Sequence, residues 1–351
     1  MSSLSTAVIA LVFAVAVVAT WLAGTRLSTS TDEIDRHFGL GDALGGVILL
    51  AVAGSLPELA ITVSAAASGN LDLAAGNLIG GIAIQTMVIV LLDAYASPSQ
   101  ALTYLVGSLV PVLEALLVVA VVAEVMMGAL LPAHDSIGSV SPASIAIVLT
   151  WLGGIYVLNR VRRAPRWEVE MPGSRPGRTH KQRRHPKDER KPSGSARKAI
   201  VIFAVASLVT LAAGVVLEQA GNELADRAGI NGVIFGATVL AFATALPEIS
   251  SGLAAVKIGD HQLAVADIFG GNAFQVSLFL VADLVAGKPV LPYAGNLNAW
   301  LAGLSIVLTT IYAFGVIVRR EGCTLRLGLD SILVVGVFAL GIAGLVAVSN
   351  G

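Results

Sequence analysis

Two glutamates stand where a carboxylate is costly. Glu58 lies in AVAGSLPELAITVSAAASG, residues 51–69, and Glu248 in AFATALPEISSGLAAVKIG, residues 241–259. Both stretches are apolar, and in both a proline directly precedes the acid. Proline has no N–H and clashes with the carbonyl four residues back, so Pro57 and Pro247 free the Ala53 and Ala243 carbonyls. Within a membrane such groups need partners, and irregular backbone is tolerated only inside protein or beside a cavity. Freed carbonyls, the Ser55 and Thr244 hydroxyls and two carboxylates are all hard oxygen ligands for a cation. Gln85 and Gln275 add amide oxygens. Each lies four residues after a glycine, Gly81 or Gly271, as Glu248 lies four after Thr244, so each pair is expected on one helix face. The doublets Gly80-Gly81 and Gly270-Gly271 let neighbouring helices approach closely.

An acid inside a membrane span reads as functional. The competing reading is a structural ion pair, but no Lys or Arg falls in any expected span core. Two facing carboxylates carry about −2, which one Ca²⁺, two Na⁺ or two H⁺ neutralise equally well. That equivalence is what an antiporter requires.

The two stretches are copies. Gly39–Asp93 aligns without a gap to Gly229–Asp283 at an offset of 190 residues, with 17 of 55 positions identical. Composition alone would repeat Ala, Leu and Gly, but not Leu-Pro-Glu and a distant Gln in register. Self-similarity of this kind marks a duplicated unit. Asp267 breaks the pattern: it stands where the first copy has Asn77, about two turns before Gln275. It either supplies a third carboxylate to the site or lies just behind it.

The elements that position these residues follow from composition. Of 351 residues 56% are hydrophobic and 13% charged, and the mean hydropathy is +0.83, against about 25% charged in soluble domains. Apolar runs near bilayer-spanning length recur throughout. Ten spans are expected, near 4–24, 42–67, 71–93, 103–128, 142–161, 198–219, 231–256, 262–285, 297–318 and 327–348. The fold class is therefore an all-α polytopic membrane protein. No short alternating segments indicate a membrane barrel. The first run lacks the basic residues of a signal peptide and reads as a true span. The lone Cys323 excludes an internal disulfide framework.

The expected organisation is a first five-helix repeat at 1–161, a basic linker at 162–197 and a second repeat at 198–351. The linker carries Arg162, Arg163, Arg166 and a run from Arg175 to Lys191, which places it in the cytoplasm. Arg26, Arg36, Lys257, Arg319, Arg320 and Arg326 then fall on cytoplasmic turns, and both termini lie outside. The linker reads as a solvated topology determinant rather than as a patch for nucleic acid or anionic lipid. Five spans per copy invert the second copy in the membrane, an architecture in which transporters hold their site near the midplane.

Gly54–Glu58 and Thr244–Glu248, each followed by a small-residue helix and a Gly-Gly turn, resemble the two alpha repeats of the Ca²⁺/cation antiporter superfamily. The sodium/calcium exchangers are the most similar branch. The span number, the central loop and the RREG segment at Arg319–Gly322 fit as well. The resemblance implies that Glu58 and Glu248 are the central Ca²⁺ ligands. It also implies that Ser55 and Thr244 serve flanking cation sites, that Gln85 and Gln275 hold the third-helix and eighth-helix ligand positions, and that the first and sixth spans slide to alternate access. Three departures stand out. The pairs Gly54-Ser55 and Thr244-Ala245 each lack one hydroxyl of the usual Thr-Ser, the serines expected at Gly81 and Gly271 are absent, and Gln replaces Asn or Asp.

The leading expectation is a secondary antiporter exchanging Ca²⁺ for Na⁺ by alternating access in the plasma (inner) membrane. It needs no cofactor, nucleic acid or obligatory protein partner. The alternative is the same machine coupled to H⁺. The inverted repeat argues against a channel, and no nucleophile, metal-ligand or nucleotide motif indicates an enzyme. Glu114, in PVLEALLVV, is expected to bond a polar neighbour. Glu124, Asp93 and Asp283 lie nearer span ends. The five histidines are expected in loops, without metal-ligand spacing.

Overall fold

A computed structural model describes residues 3–38, 49, 51–163 and 195–349. The first part of the second expected span, the start of the first copy, most of the basic linker, His180 and His185 lie outside these residues. The described chain is a helical bundle: α1 (Thr6–Phe38), α2 (Leu56–Ala67), α3 (Leu71–Ala96), α4 (Leu102–Leu105), α5 (Val110–Ala129), α6 (Pro142–Arg163), α7 (Ala196–Ala228), α8 (Gly232–Phe235), a π-helical stretch (Gly236–Leu240), α9 (Ala241–Thr244), α10 (Leu246–Lys257), α11 (His261–Ala286), α12 (Asn296–Val318) and α13 (Leu329–Ser349). Among the described residues eight helices are long and apolar enough to cross a membrane, or nine with the bent pair Gly232–Thr244 and Leu246–Lys257. α2 is a shorter apolar helix.

The duplication reaches further than the Gly39–Asp93 copy. At the 190-residue offset the bounds of α1 fall on those of α7, α2 on α10 and α3 on α11. The earlier helices carry their own repeated pattern: Ala16, Thr20, Ala23, Gly24 and Leu27 match Ala206, Thr210, Ala213, Gly214 and Leu217. These residues form the buried faces of α1 and α7, which pack along one another. Small side chains there allow the backbones to approach. On the outer faces, Leu11, Val15 and Val18 and their equivalents Val201, Val205 and Leu208 are exposed apolar stripes suited to lipid.

Both of these helices are longer than expected. At 33 residues each they extend about 50 Å, well beyond a hydrocarbon core of about 30 Å. Hydropathy marked only their apolar parts. The polar end of α1 stays helical because Leu27, Ser30 and Thr31 still pack inward. Arg26, Arg36 and His37 are therefore on helices rather than on turns, and His261 opens α11.

The prolines break the helices instead of kinking them. Ser55, at φ −93° and ψ 14°, separates the helical residues 51–54 from α2, and Ala245, at φ −78° and ψ −6°, separates α9 from α10. Each proline then sits in the first turn of a new helix, where a missing N–H costs nothing. Ala53 and Ala243 fall in the last turns before the breaks, where carbonyls lack intrahelical partners. Thr244 and Glu248 consequently lie on different helices and do not share a face.

α3 and α11 form the centre of the bundle, with α3 the more buried. Asp93 and Asp283 tie down their far ends in matching ways. Asp93 accepts from the backbone N–H groups of Leu102 (2.6 Å) and Gly328 (2.7 Å). Asp283 accepts from those of Val290 (2.6 Å) and Ser141 (2.9 Å). Each acid thus staples the stretch after its own helix to the residue just ahead of a helix in the opposite half of the chain, Asp93 to Gly328 before α13 and Asp283 to Ser141 before α6.

Candidate cation site

Each break places a glutamate in the first turn of a new helix, Glu58 on α2 and Glu248 on α10. The unpaired N–H groups and the helix dipole at that end favour negative charge. The two carboxylates belong to opposite repeats and converge on one region, since Glu248 and Gln85, the donor to Glu58, line the same cavity. Gln85 Nε2, on α3, donates to Glu58 Oε1 at 3.1 Å, and the second oxygens of both glutamates are buried without a hydrogen-bond partner. The Thr244 hydroxyl bonds the Ala241 carbonyl at 3.1 Å and lies beside Glu58.

A cavity of about 140 Å³ adjoins the pair. Ala53, Ser55, Gln85, Glu248 and Asp267 are on its wall, so five of the nine residues singled out from the sequence line one space. Glu58 lies behind Gln85, with 1% of its surface exposed. Thr244, Ala243 and Gln275 are buried outside the lining. Asp267 accepts from the Ser251 hydroxyl at 3.1 Å and stands on the cavity wall.

Gln275 departs from expectation. Instead of turning toward the glutamates it packs against Gly81, and its Nε2 donates to the Leu78 carbonyl at 2.8 Å. Gly81 is thus a notch for a side chain. Gly271 is different: among the described residues nothing lies within 4 Å of where its Cβ would be, and it borders the cavity.

A basic side chain also reaches this space, contrary to the expectation of no counter-charge. Arg162, in the last turn of α6, pairs with Glu114 of α5, and both line the cavity. Sequence reading placed Arg162 at the start of the linker because hydropathy ends the span there. Glu124 accepts from the Thr150 hydroxyl of α6 at 2.6 Å. Ser251, three residues after Glu248, was missed as well; a hydroxyl one turn from an acid is the signal that could have found it. Among the described residues no group of three His, Cys, Asp or Glu side chains is arranged to hold a metal. A cation here would rest on two carboxylates together with amide and backbone oxygens.

The long helices clamp the site across the repeats. A Cβ at Gly24 of α1 would fall 2.7 Å from Pro247 Cβ, and one at Gly214 of α7 would fall 2.5 Å from Ala60 Cβ and 3.2 Å from the Pro57 carbonyl oxygen. Each long helix therefore rests by a glycine on the Leu-Pro-Glu helix of the other copy.

A family model described as sodium/calcium exchanger protein matches the chain twice, over residues 8–159 and 198–349. The chain belongs to the sodium/calcium exchanger protein family. It is a multi-pass membrane protein of a family of Ca²⁺/cation antiporters. Among curated relatives, the inner membrane protein YrbG of Escherichia coli (strain K12) is 24% identical over 299 residues, 84% of each chain. The putative antiporter CaxA of Alkalimonas amylolytica is 24% identical over 306 residues, 86% of this chain and 89% of that one. Among solved structures, the H⁺/Ca²⁺ exchanger CAX superposes with a TM-score of 0.69 at 14% identity, covering 97% of this chain and 86% of that one. The sodium–calcium exchanger NCX_Mj superposes with a TM-score of 0.60 at 16% identity, covering 97% and 99%. These two likenesses establish the exchanger fold.

Proposed function

We propose that this family member exchanges Ca²⁺ for Na⁺ by alternating access, with Glu58 and Glu248 as the shared binding pair. The observation that carries the reading is a cavity lined by Glu248 of one repeat and by Gln85, which holds Glu58 of the other, together with further oxygen donors, while each glutamate keeps a buried unpartnered oxygen. Such a pair is unfavourable while both charges are uncompensated and is satisfied by either cargo, so an empty carrier is discouraged from crossing. Ala53, Ser55, Gln85 and Asp267 would complete the cargo shell. Thr244, Ala243 and Gln275 would join only if the helices rearranged.

The cavity runs along α6 from Trp151 to Arg162, toward the end that continues into the basic segment. If that segment is cytoplasmic, as its charge implies, this conformation faces inward and both termini lie outside. The division at 1–161, 162–197 and 198–351 is part of the same proposal.

A second reading, coupling to H⁺, is favoured by the scarcity of hydroxyls. Thr244 is already bonded to the Ala241 carbonyl, and of the two residue pairs that precede Leu-Pro-Glu only Ser55 puts a hydroxyl on the wall, while the Ser251 hydroxyl there is taken up by Asp267. Proteoliposomes loaded with Ca²⁺ distinguish the two. Flux that follows an imposed Na⁺ gradient at constant pH supports the first reading, and flux that follows ΔpH without Na⁺ replaces it with the second. Flux that needs neither gradient would make the protein a channel.

A further inference from the structure

The Glu114–Arg162 pair belongs to neither copy's signature, yet it shares the cavity with the proposed cargo site. Glu114 is 2% exposed, so its charge needs a partner, and its Oε2 is buried without one. Arg162 reaches Oε1 from a position where its own side chain is 39% exposed, at the cavity's mouth. Glu248, Asp267, Glu114 and Arg162 line the same cavity, so the acids and the guanidinium share one space. A guanidinium does not deprotonate in a protein and is covalently held. It supplies a positive charge that cannot leave with the cargo.

We propose that Arg162 is a tethered cation of the transport cavity: it fills a charge position at Glu114 that a transported monovalent cation would otherwise occupy, and so sets how many counter-ions accompany each Ca²⁺. The inference rests on the antiport reading. With Arg162 in place, Glu114 is neutralised in every state of the cycle. Without it, the cavity gains one uncompensated negative charge, and the occupied site is neutral only with one more monovalent cation. A purely structural ion pair would affect folding and leave the coupling number unchanged.

The test uses the full chain in proteoliposomes with clamped membrane potential, reading the voltage at which net Ca²⁺ flux vanishes. The coupling number should rise by one monovalent ion per Ca²⁺ in Arg162→Gln and return to the wild-type value in Glu114→Gln/Arg162→Gln. An unchanged number in Arg162→Gln overturns the proposal. Should that variant fail to fold, calorimetric Ca²⁺ binding to Glu114→Gln decides. The released guanidinium should weaken binding by about two orders of magnitude, the effect of one positive charge on a divalent cation about 10 Å away at an effective dielectric near 20. The double variant should restore it, and unaltered binding in Glu114→Gln refutes the assignment. If the wild-type chain itself neither binds nor carries Ca²⁺, the antiport reading fails first, and the role given to Arg162 fails with it. Failure confined to the variants removes only Arg162.

Discussion

The contact between Gly214 and α2 gives a quantitative test of how the long helices hold the site. Replacing Gly214 with Ala puts a methyl 2.5 Å from Ala60 Cβ and 3.2 Å from the Pro57 carbonyl oxygen. Ordinary van der Waals contact begins near 3.4 Å, so the helices must part by about 0.9 Å at this point. Neither obstacle can turn aside, because one is a methyl fixed to the backbone and the other is backbone. Overpacking of this kind costs about 1–3 kcal/mol. The cost falls on the conformation in which α7 rests on α2, two residues from Glu58. A state visited in every cycle and made that much rarer slows turnover about 5- to 150-fold. Ca²⁺ flux in proteoliposomes and thermal melting in detergent are the two measurements. Gly303→Ala is the control: among the described residues nothing lies within 4 Å of its Cβ position, and alanine should favour the helix by about 1 kcal/mol. Wild-type flux together with an unshifted melting temperature in Gly214→Ala would refute the close contact and the argument built on it.

Glu58→Gln and Glu248→Gln should each abolish exchange in vesicles while the protein still inserts and purifies; normal flux in either removes that residue from the site. Gln85→Leu deletes the 3.1 Å bond to Glu58 and leaves a buried charge short of a donor. It should change Ca²⁺ affinity by about 1–3 kcal/mol, read as a five-fold or greater shift in the concentration for half-maximal flux. Asp93→Asn and Asp283→Asn each weaken two backbone hydrogen bonds. They should lower the melting temperature by several degrees, since bonds to a charged acceptor are worth about 1.5–3 kcal/mol each, and the coupling ion should stay the same. A changed ion preference would move these acids from scaffold to transport.

What was legible in the sequence follows from how local each feature is. Proline beside an acid in an apolar run announces a broken helix from its own covalent chemistry, and the repeated Leu-Pro-Glu announces that the break is paired. Both breaks are present, at Ser55 and Ala245. Gln85 reaches Glu58, and it lines one cavity with Glu248 of the other copy, because the duplication dictates which helices face each other. Arg162 was read as linker because hydropathy cannot register a long side chain whose stem lies along apolar wall while its head reaches inward. The repeat in α1 and α7 escaped for another reason. Its matching residues are Ala, Thr, Gly and Leu, spaced at helical intervals and individually uninformative. Only the coincidence of helix bounds at one offset reveals them.

The two glutamines show what a duplicated sequence can conceal. Gln85 and Gln275 occupy equivalent positions on α3 and α11, so a symmetric molecule would give them the same partners. Gln275 instead fills the notch at Gly81 and bonds the Leu78 carbonyl, while Gln85 bonds Glu58 and leaves the Gly271 face bordering the cavity. One copy's glycine face is closed by the other copy's glutamine, and the reciprocal contact is absent among the described residues. The same residue types sit at both places, so the same sequence also encodes the exchanged roles, with Gln85 at Gly271 and Gln275 turned to Glu248. Under the antiport reading that exchange closes the present cavity and opens its mirror image. The energy difference between the two arrangements then lies mainly in the charges that face the cavity, which is the term the cargo changes. Under that reading the departures from symmetry, Asp267 for Asn77 and the single hydroxyl in each pair before Leu-Pro-Glu, fall where cargo and protein charge must balance, and substitutions there should have the largest effect on which ion is exchanged.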